Sequence, residues 1–157
     1  MAEMKFKFTI QPYQTEAVDS VVGVFAGQPF NDHFTYRRDV EIRRDVTNWM
    51  ISDEELYMGF ANAKVQLDYG QLLENIRRIQ TRNNIKLSDS LKSGGLGVCS
   101  LDVEMETGTG KTYVYIKTMF ELNKLYGWSK FIVVVPSIAI REGVQKSFET
   151  MQDHFME

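Results

Sequence analysis

The feature that most constrains the fold of this 157-residue chain is a glycine-rich turn between two segments of different periodicity. The turn has the sequence Glu106-Thr107-Gly108-Thr109-Gly110-Lys111-Thr112. The apolar segment before it, Leu101 to Met105, is typical of a strand, and Lys111 to Leu125 is typical of a helix that ends at Gly127. A glycine-rich turn in this position predicts a loop that binds the phosphates of a nucleoside triphosphate.

Each residue type in this turn suits that task. Gly108 and Gly110 allow backbone conformations that turn several N–H groups toward phosphate oxygens. The start of the helix adds its positive dipole end, Lys111 is expected to reach the β- and γ-phosphates, and the Thr112 hydroxyl to bind Mg²⁺. Met105 replaces the first glycine of the consensus. The alternative is a glycine-rich turn with lysine and threonine by chance, but the flanking strand and helix favour the phosphate loop.

A second strand and helix are predicted after the loop. The run Phe131 to Val135 is apolar and β-branched, which is typical of a strand buried in a parallel sheet. Pro136 ends this run, and Ser137 can cap the helix that follows. Strand, helix, strand and helix predict an α/β fold with parallel strands and flanking helices.

The first part of the chain is less regular. Residues 5–10 alternate like a strand, Pro12 can open a helix that stops by Gly27, and residues 69–82 have helical spacing. The fold of residues 28–68 stays open. We therefore divide the chain into residues 1–98, with the first helix and an insertion, and residues 99–157, the start of the nucleotide-binding lobe.

Composition and charge set limits on the class of protein. The 43% hydrophobic and 25% charged residues are those of a globular domain, and the net charge of -3 argues against a generally basic nucleic-acid binder. The single cysteine cannot form an internal disulfide, and no apolar run reaches the roughly 18 residues that span a bilayer. We expect a soluble, cytoplasmic protein without membrane contact.

Nucleotide hydrolysis requires a further carboxylate that holds Mg²⁺ and orients water. An apolar run ending in Asp-Glu would supply it, and the last 20 residues contain none. Asp102, Glu104 and Glu106 lie on or beside the strand before the loop and are not expected to replace it. The sequence predicts a chain that binds nucleotide without hydrolysing it alone.

Four segments together resemble one family. Residues 105–115, which contain the loop, are similar to the helicase motif I of type III restriction enzymes, and residues 11–18 are similar to the Q-motif of the same proteins. Residues 131–144, including Ile140-Arg141-Glu142-Gly143-Val144, resemble motif Ia. Residues 72–80 are similar to the restriction subunits of this family rather than to helicases in general. The combination resembles the Res subunit of type III restriction-modification enzymes.

The resemblance implies a partial RecA-like P-loop NTPase lobe that binds ATP and Mg²⁺, with Lys111 as catalytic residue and Thr112 as metal ligand. It implies adenine recognition by Gln14 and contact of Ser137 and Arg141 with the DNA backbone. The cofactor-binding residues would then be Gln14, Thr107, Gly108, Thr109, Gly110, Lys111 and Thr112. The partners would be double-stranded DNA and the Mod methyltransferase subunit.

Res subunits are much longer than this chain, so we expect a C-terminally truncated fragment whose hydrolytic and nuclease residues lie elsewhere. The parent would be an ATP-dependent type III site-specific deoxyribonuclease, and the fragment alone would be inactive. Two alternatives stay open. One is a fragment of another superfamily 2 translocase, such as a type I restriction motor. The other is a nucleotide-binding module without hydrolysis.

Overall fold

Helices account for the regular secondary structure that is seen. The structure is a computed structural model, which describes residues 9–31, 62–94 and 97–156. Its helices are α1 (Pro12–Gly23), α2 (Tyr69–Arg82), α3 (Lys111–Tyr126) and α4 (Ile138–Met156). All the predicted helices are confirmed. Most of the strand predicted at 5–10, and residues 32–61 of the open region, lie outside the described residues.

The helices begin and end at local sequence signals. Pro12 occupies the first position of α1, where its missing N–H costs no hydrogen bond. At the start of α2, Asp68 Oδ1 accepts from the Gln71 N–H at 2.8 Å, and Gln71 Oε1 accepts from the Asp68 N–H at 2.9 Å. This reciprocal capping box satisfies two N–H groups that the helix leaves without partners. Helix α3 ends at Gly127, whose φ of +75° is the left-handed conformation that favours glycine.

The main core lies between α1 and α3. Val18 and Val22 of α1 are buried together with four residues of α3 and the turn after it: Val114, Leu122, Tyr126 and Trp128. Burial of each aliphatic side chain contributes about 1.5–3 kcal/mol. The Tyr126 hydroxyl also donates to the Val22 carbonyl at 3.3 Å, which satisfies this buried group. Packing of α1 against α3 therefore holds the start of α3, and the loop before it, in a fixed position.

A second core joins α2 to the end of α1. Leu72 of α2 is fully buried and packs with Val24 and Leu67. Beside them lies the buried Asn75, whose Nδ2 donates to the carbonyls of Val24 at 3.0 Å and Ala26 at 2.9 Å. These carbonyls lie just beyond α1, where the helical pattern provides no donors. The Asn75 amide can be buried because it donates hydrogen bonds to two carbonyls at the end of α1.

The predicted strands are wrong, and with them the predicted α/β class, which was a partial RecA-like lobe with parallel strands. Across the described residues the secondary structure is helical, and both 101–105 and 131–135 lack strand pairing. Residues 131–135 lie beside α4: Val133 and Val135 line a shallow cavity against it, while Ile132 and Val134 are 92% and 86% exposed. A β-branched run favours extended backbone, but a strand also requires a hydrogen-bonded neighbour, which the described residues do not supply.

Side-chain amides hydrogen-bond the backbone of segments that have no regular secondary structure. Asn62 Oδ1 accepts from the N–H groups of Ser129 at 3.0 Å and Lys130 at 2.9 Å, and its Nδ2 donates to the Lys130 carbonyl at 2.7 Å. The buried Gln28 donates to the Lys64 carbonyl at 3.3 Å and accepts from the Gln66 N–H at 2.8 Å. Each amide has both a donor and an acceptor, so it binds backbone as a neighbouring strand would.

Aromatic side chains join α4 to α3. The Phe155 ring lies 4.9 Å from the Phe120 ring and 5.4 Å from the Tyr113 ring, measured between centroids. The end of α4 therefore packs close to the start of α3, where Tyr113 follows the loop. Among the helices in the described part of the chain, none is long and apolar enough to cross a membrane.

Candidate phosphate-binding site

The loop before α3 has the backbone conformation that its glycines predict. Gly108 and Gly110 have φ values of +81° and +86°, in the left-handed region that other L-residues adopt only with strain. The two glycines differ in their surroundings. A Cβ on Gly108 would meet nothing within 4 Å, whereas a Cβ on Gly110 would lie 2.5 Å from Gln14 Nε2. Gly108 is thus required by conformation, and Gly110 by conformation and by close approach.

The start of α3 presents its N–H groups beside this loop. Gly110 is the residue that precedes the helix, and it has no side chain to cap the first turn. The first intrahelical bond runs from the Val114 N–H to the Gly110 carbonyl at 3.1 Å. The N–H groups earlier in the helix have no helical acceptor, and the helix dipole places partial positive charge there. This end of α3 is therefore suited to an anion.

Three donors converge on the Glu106 carbonyl. Thr109 donates through its N–H at 3.4 Å and its hydroxyl at 2.6 Å, and Lys111 Nζ donates at 2.7 Å. The Lys111 side chain therefore folds back onto the loop, with its ammonium group against the Glu106 carbonyl. A lysine in this position can exchange a single carbonyl for the oxygens of a phosphate without leaving the loop.

Gln14 connects α1 to the loop. Its Nε2 donates to the Thr109 carbonyl at 3.0 Å, and its Oε1 accepts from the Gln11 N–H at 3.4 Å. Gln14 lies one helical turn before Val18, so the face of α1 that packs in the main core also brings Gln14 to the loop. The structure thus brings Gln14 together with Thr109 and Gly110.

The remaining predicted residues fall in two places. Thr107 is exposed on the loop, and Thr112 is half-buried in the first turn of α3. The Ser137 hydroxyl oxygen accepts a hydrogen bond from the Ile140 N–H at 3.3 Å, so Ser137 caps α4. Arg141 is exposed one turn further along the helix. Because α4 separates Ser137 from Phe155 by roughly 27 Å, Ser137 lies at the end of α4 that is remote from Tyr113. Ser137 and Arg141 are not brought to the loop.

Some contacts at the site were not foreseen from the sequence. The Tyr113 hydroxyl lies 3.3 Å from His154 Nε2, and burial raises the pKa of this phenol. Packing of α4 therefore reaches the residue next to Thr112. The Glu106 carbonyl was also missed, because a main-chain acceptor leaves no signal in residue type. For the Tyr113–His154 contact, no spacing in the sequence indicates that residues 41 positions apart meet.

A glycine loop in left-handed conformation, at the uncapped start of a long helix and beside a lysine, defines a candidate nucleotide-binding protein. Residues 70–156 match the family described as type III restriction enzyme, Res subunit. The chain is 33% identical to the EcoP15I Res subunit of Escherichia coli, and 33% identical to the EcoPI Res subunit of Escherichia phage P1; the alignments cover 94% and 92% of the chain. This chain belongs to the type III restriction enzyme Res subunit family.

The matches cover little of the relatives' own length. The alignments span 14% of the EcoP15I subunit and 13% of the EcoPI subunit. A segment of 46 residues is 59% identical to the StyLTI Res subunit of Salmonella typhimurium, over 29% of this chain and 5% of that relative. The chain thus corresponds to a small part of the curated Res subunits that it matches.

Proposed function

We propose that this chain is the nucleotide-binding part of a type III Res subunit and that it binds ATP with Mg²⁺ at the loop before α3. The observation that supports this most strongly is the geometry of the loop. Two left-handed glycines, the uncapped start of α3 and the Lys111 ammonium lie on one short stretch of backbone. Each favours a multiply charged anion, and a polyphosphate would use all three at once.

The phosphates would be held by Thr107, Gly108, Thr109, Gly110 and Lys111. Lys111 would move its ammonium group from the Glu106 carbonyl to the β- and γ-phosphates and would stabilise the charge that develops during phosphoryl transfer. The base would lie toward α1, where the Gln14 amide can donate to and accept from the edge of adenine. Recognition of adenine over guanine would depend on that amide.

Thr112 would bind Mg²⁺ through its hydroxyl. Among the described residues, no group of three His, Cys, Asp or Glu side chains could hold a metal ion. Mg²⁺ usually keeps several waters and takes few protein ligands beside substrate phosphates, so a single hydroxyl in the first turn of α3 fits this ion. Removal of Mg²⁺ should therefore weaken binding of ATP more than binding of adenosine.

The parent protein would be an ATP-dependent deoxyribonuclease that acts on double-stranded DNA together with a Mod methyltransferase subunit. Family membership supports this over the motor of a type I enzyme. The residues for hydrolysis and cleavage would lie in the part of Res subunits that this chain does not match, so this chain would bind ATP without turning it over. Ser137 and Arg141, at the exposed start of α4, would contact the phosphates of DNA.

Binding of an ATP analogue to the 157-residue chain, measured by calorimetry, tests the loop. Lys111→Ala should lower the affinity at least tenfold because it removes the cation that faces the β- and γ-phosphates. The matched control is Lys124→Ala, which removes the same charge from an exposed position in the last turn of α3 and should leave the affinity unchanged. Equal affinities for Lys111→Ala and the unaltered chain would exclude the loop as the binding site.

Turnover and DNA contact need separate measurements. A steady-state assay with DNA should detect no ATP hydrolysis by this chain, and DNA-stimulated turnover that Lys111→Ala abolishes would contradict that expectation.

Arg141→Ala should weaken DNA binding and reduce its salt dependence, because one phosphate contact is lost. Arg78→Ala is the control, since Arg78 is exposed on α2 and pairs with Glu74. Equal effects of both substitutions would remove Arg141 from the proposed interface.

A further inference from the structure

Gln14, whose motif suggests adenine recognition, also hydrogen-bonds the loop before α3. We propose that Gln14 is a positioning residue for the phosphate loop, and that it supports triphosphate binding whatever base the nucleotide has. This inference rests on the proposed function, because it describes how the same site is held in shape. It predicts a dependence on Gln14 that a pure adenine contact would not produce.

The polar atoms of the Gln14 side chain already contact the protein itself. Nε2 donates to the Thr109 carbonyl at 3.0 Å, and Oε1 accepts from the Gln11 N–H at 3.4 Å. The first bond joins residues 95 positions apart and ends on the loop, while the second fixes the amide against the start of α1. The side chain is therefore oriented by the protein before any base is considered.

The contact with the loop is close. A Cβ on Gly110 would lie 2.5 Å from Gln14 Nε2 and 3.6 Å from its Cδ. Gln14 and Gly110 are both half-buried, so the amide fills the space that a side chain at position 110 would need. The absence of a side chain at Gly110 is what lets the amide reach the Thr109 carbonyl.

The hydrogen bond fixes the direction of a loop N–H. The Thr109 carbonyl and the Gly110 N–H belong to one peptide unit, and in a planar trans peptide they point in opposite directions. Since Gln14 holds the carbonyl toward α1, the Gly110 N–H is directed away from α1. Gly110 immediately precedes α3, so this N–H adds to the donors at the start of that helix.

Gln14 lies on a helix that is packed tightly against α3. Val18, one turn further along α1, is 1% exposed and packs with Val114 of α3. The amide is thus attached to a helix that is itself packed on the helix following the loop. Loss of this hydrogen bond should let the Thr109–Gly110 peptide rotate, and triphosphate affinity should fall about three- to tenfold, the usual effect of one neutral hydrogen bond.

The test compares ligands that share phosphates but differ in the base. Binding of Mg²⁺ complexes of ATP, GTP and inorganic tripolyphosphate to the 157-residue chain would be measured by calorimetry for the unaltered chain, Gln14→Met and Gln14→Ala. Methionine keeps the length without a donor or a charge. Gln145→Met is the control, because Gln145 is exposed on α4 and bonds to Glu149. We expect both Gln14 substitutions to lower the affinity for all three ligands, and the control to change none.

The outcomes separate this inference from the proposed function. If the Gln14 substitutions weaken ATP alone and leave GTP and tripolyphosphate unchanged, Gln14 is an adenine contact only and the positioning role is refuted, while the phosphate loop stands. If the unaltered chain binds none of the three ligands, both proposals fail.

A measurement without substitution guards against misfolded variants. The scalar coupling through the hydrogen bond from Gln14 Nε2 to the Thr109 carbonyl carbon can be followed by NMR in the unaltered chain. It should persist when tripolyphosphate is added, because the bond holds the loop in its binding shape. Loss of the coupling on binding would overturn the positioning role.

Discussion

Gly108 and Gly110 allow the effects of backbone conformation and close packing to be separated. Both have φ near +80°, so alanine at either position should cost about 1–2 kcal/mol of unfolding free energy for the left-handed backbone alone. Only at Gly110 would the new Cβ meet another group, at 2.5 Å from Gln14 Nε2. Gly108→Ala is therefore a matched control for Gly110→Ala.

The additional cost at Gly110 follows from what must move. Gln14 Nε2 is the end of a flexible side chain, so it would swing aside and lose its bond to the Thr109 carbonyl. Loss of one such bond costs about 1 kcal/mol, so Gly110→Ala should destabilise the chain by ~2–3 kcal/mol. In a chain that already has Gln14→Ala, the same substitution should cost only the conformational part.

Urea unfolding of the chain, followed by circular dichroism, gives these free energies. The double-mutant cycle between positions 14 and 110 should yield an interaction energy of about 1 kcal/mol, and the cycle between positions 14 and 108 an energy near zero. Equal losses for Gly108→Ala and Gly110→Ala, with no coupling to Gln14, would refute the close approach of Gln14 to the loop.

Other substitutions test the base on which the loop rests. Asn75→Ala should cost about 2–4 kcal/mol in urea unfolding, because two carbonyls beyond α1 lose their buried donor; a loss under 1 kcal/mol would contradict this. Burial raises the pKa of Tyr126 above its ordinary value of 10.0, so the folded chain holds this proton more tightly, and unfolding free energy should fall as the pH rises above 10. Tyr126→Phe should reduce that alkaline slope, and an unchanged slope would exclude Tyr126 as its source. Asn62→Ala should speed proteolysis near Lys130, because the backbone there loses three hydrogen bonds; an unchanged cleavage rate would argue against this role.

The helices were predictable because their signals are local. Pro12 at the start of α1, the spacing of apolar residues in α2 and Gly127 at the end of α3 act within a few residues of chain. The loop conformation was predictable for the same reason, since Gly108 and Gly110 suit left-handed backbone by themselves. The position and the backbone conformation of the loop therefore follow from residues within a few positions of it.

The strands were not predictable because pairing is not local. The run 131–135 has the composition of a strand, yet its backbone has no paired strand among the described residues, and the nearby Lys130 is bound by the amide of Asn62 instead. The contact of Gln14 with Thr109 has the same character, since it depends on how α1 packs against α3. The sequence could assign Gln14 to the site through its family motif, but not to a hydrogen bond with the loop.

The most direct test of a phosphate site before α3 is an NMR titration that follows each backbone amide. Addition of a Mg²⁺–ATP analogue to the chain should shift the amide signals of residues 107–112 first and most, because their N–H groups would surround the phosphates. Adenosine alone should leave Gly108 and Lys111 unaffected. Shifts confined to other parts of the chain, or no shifts at millimolar analogue, would contradict the assignment of this loop as the nucleotide site.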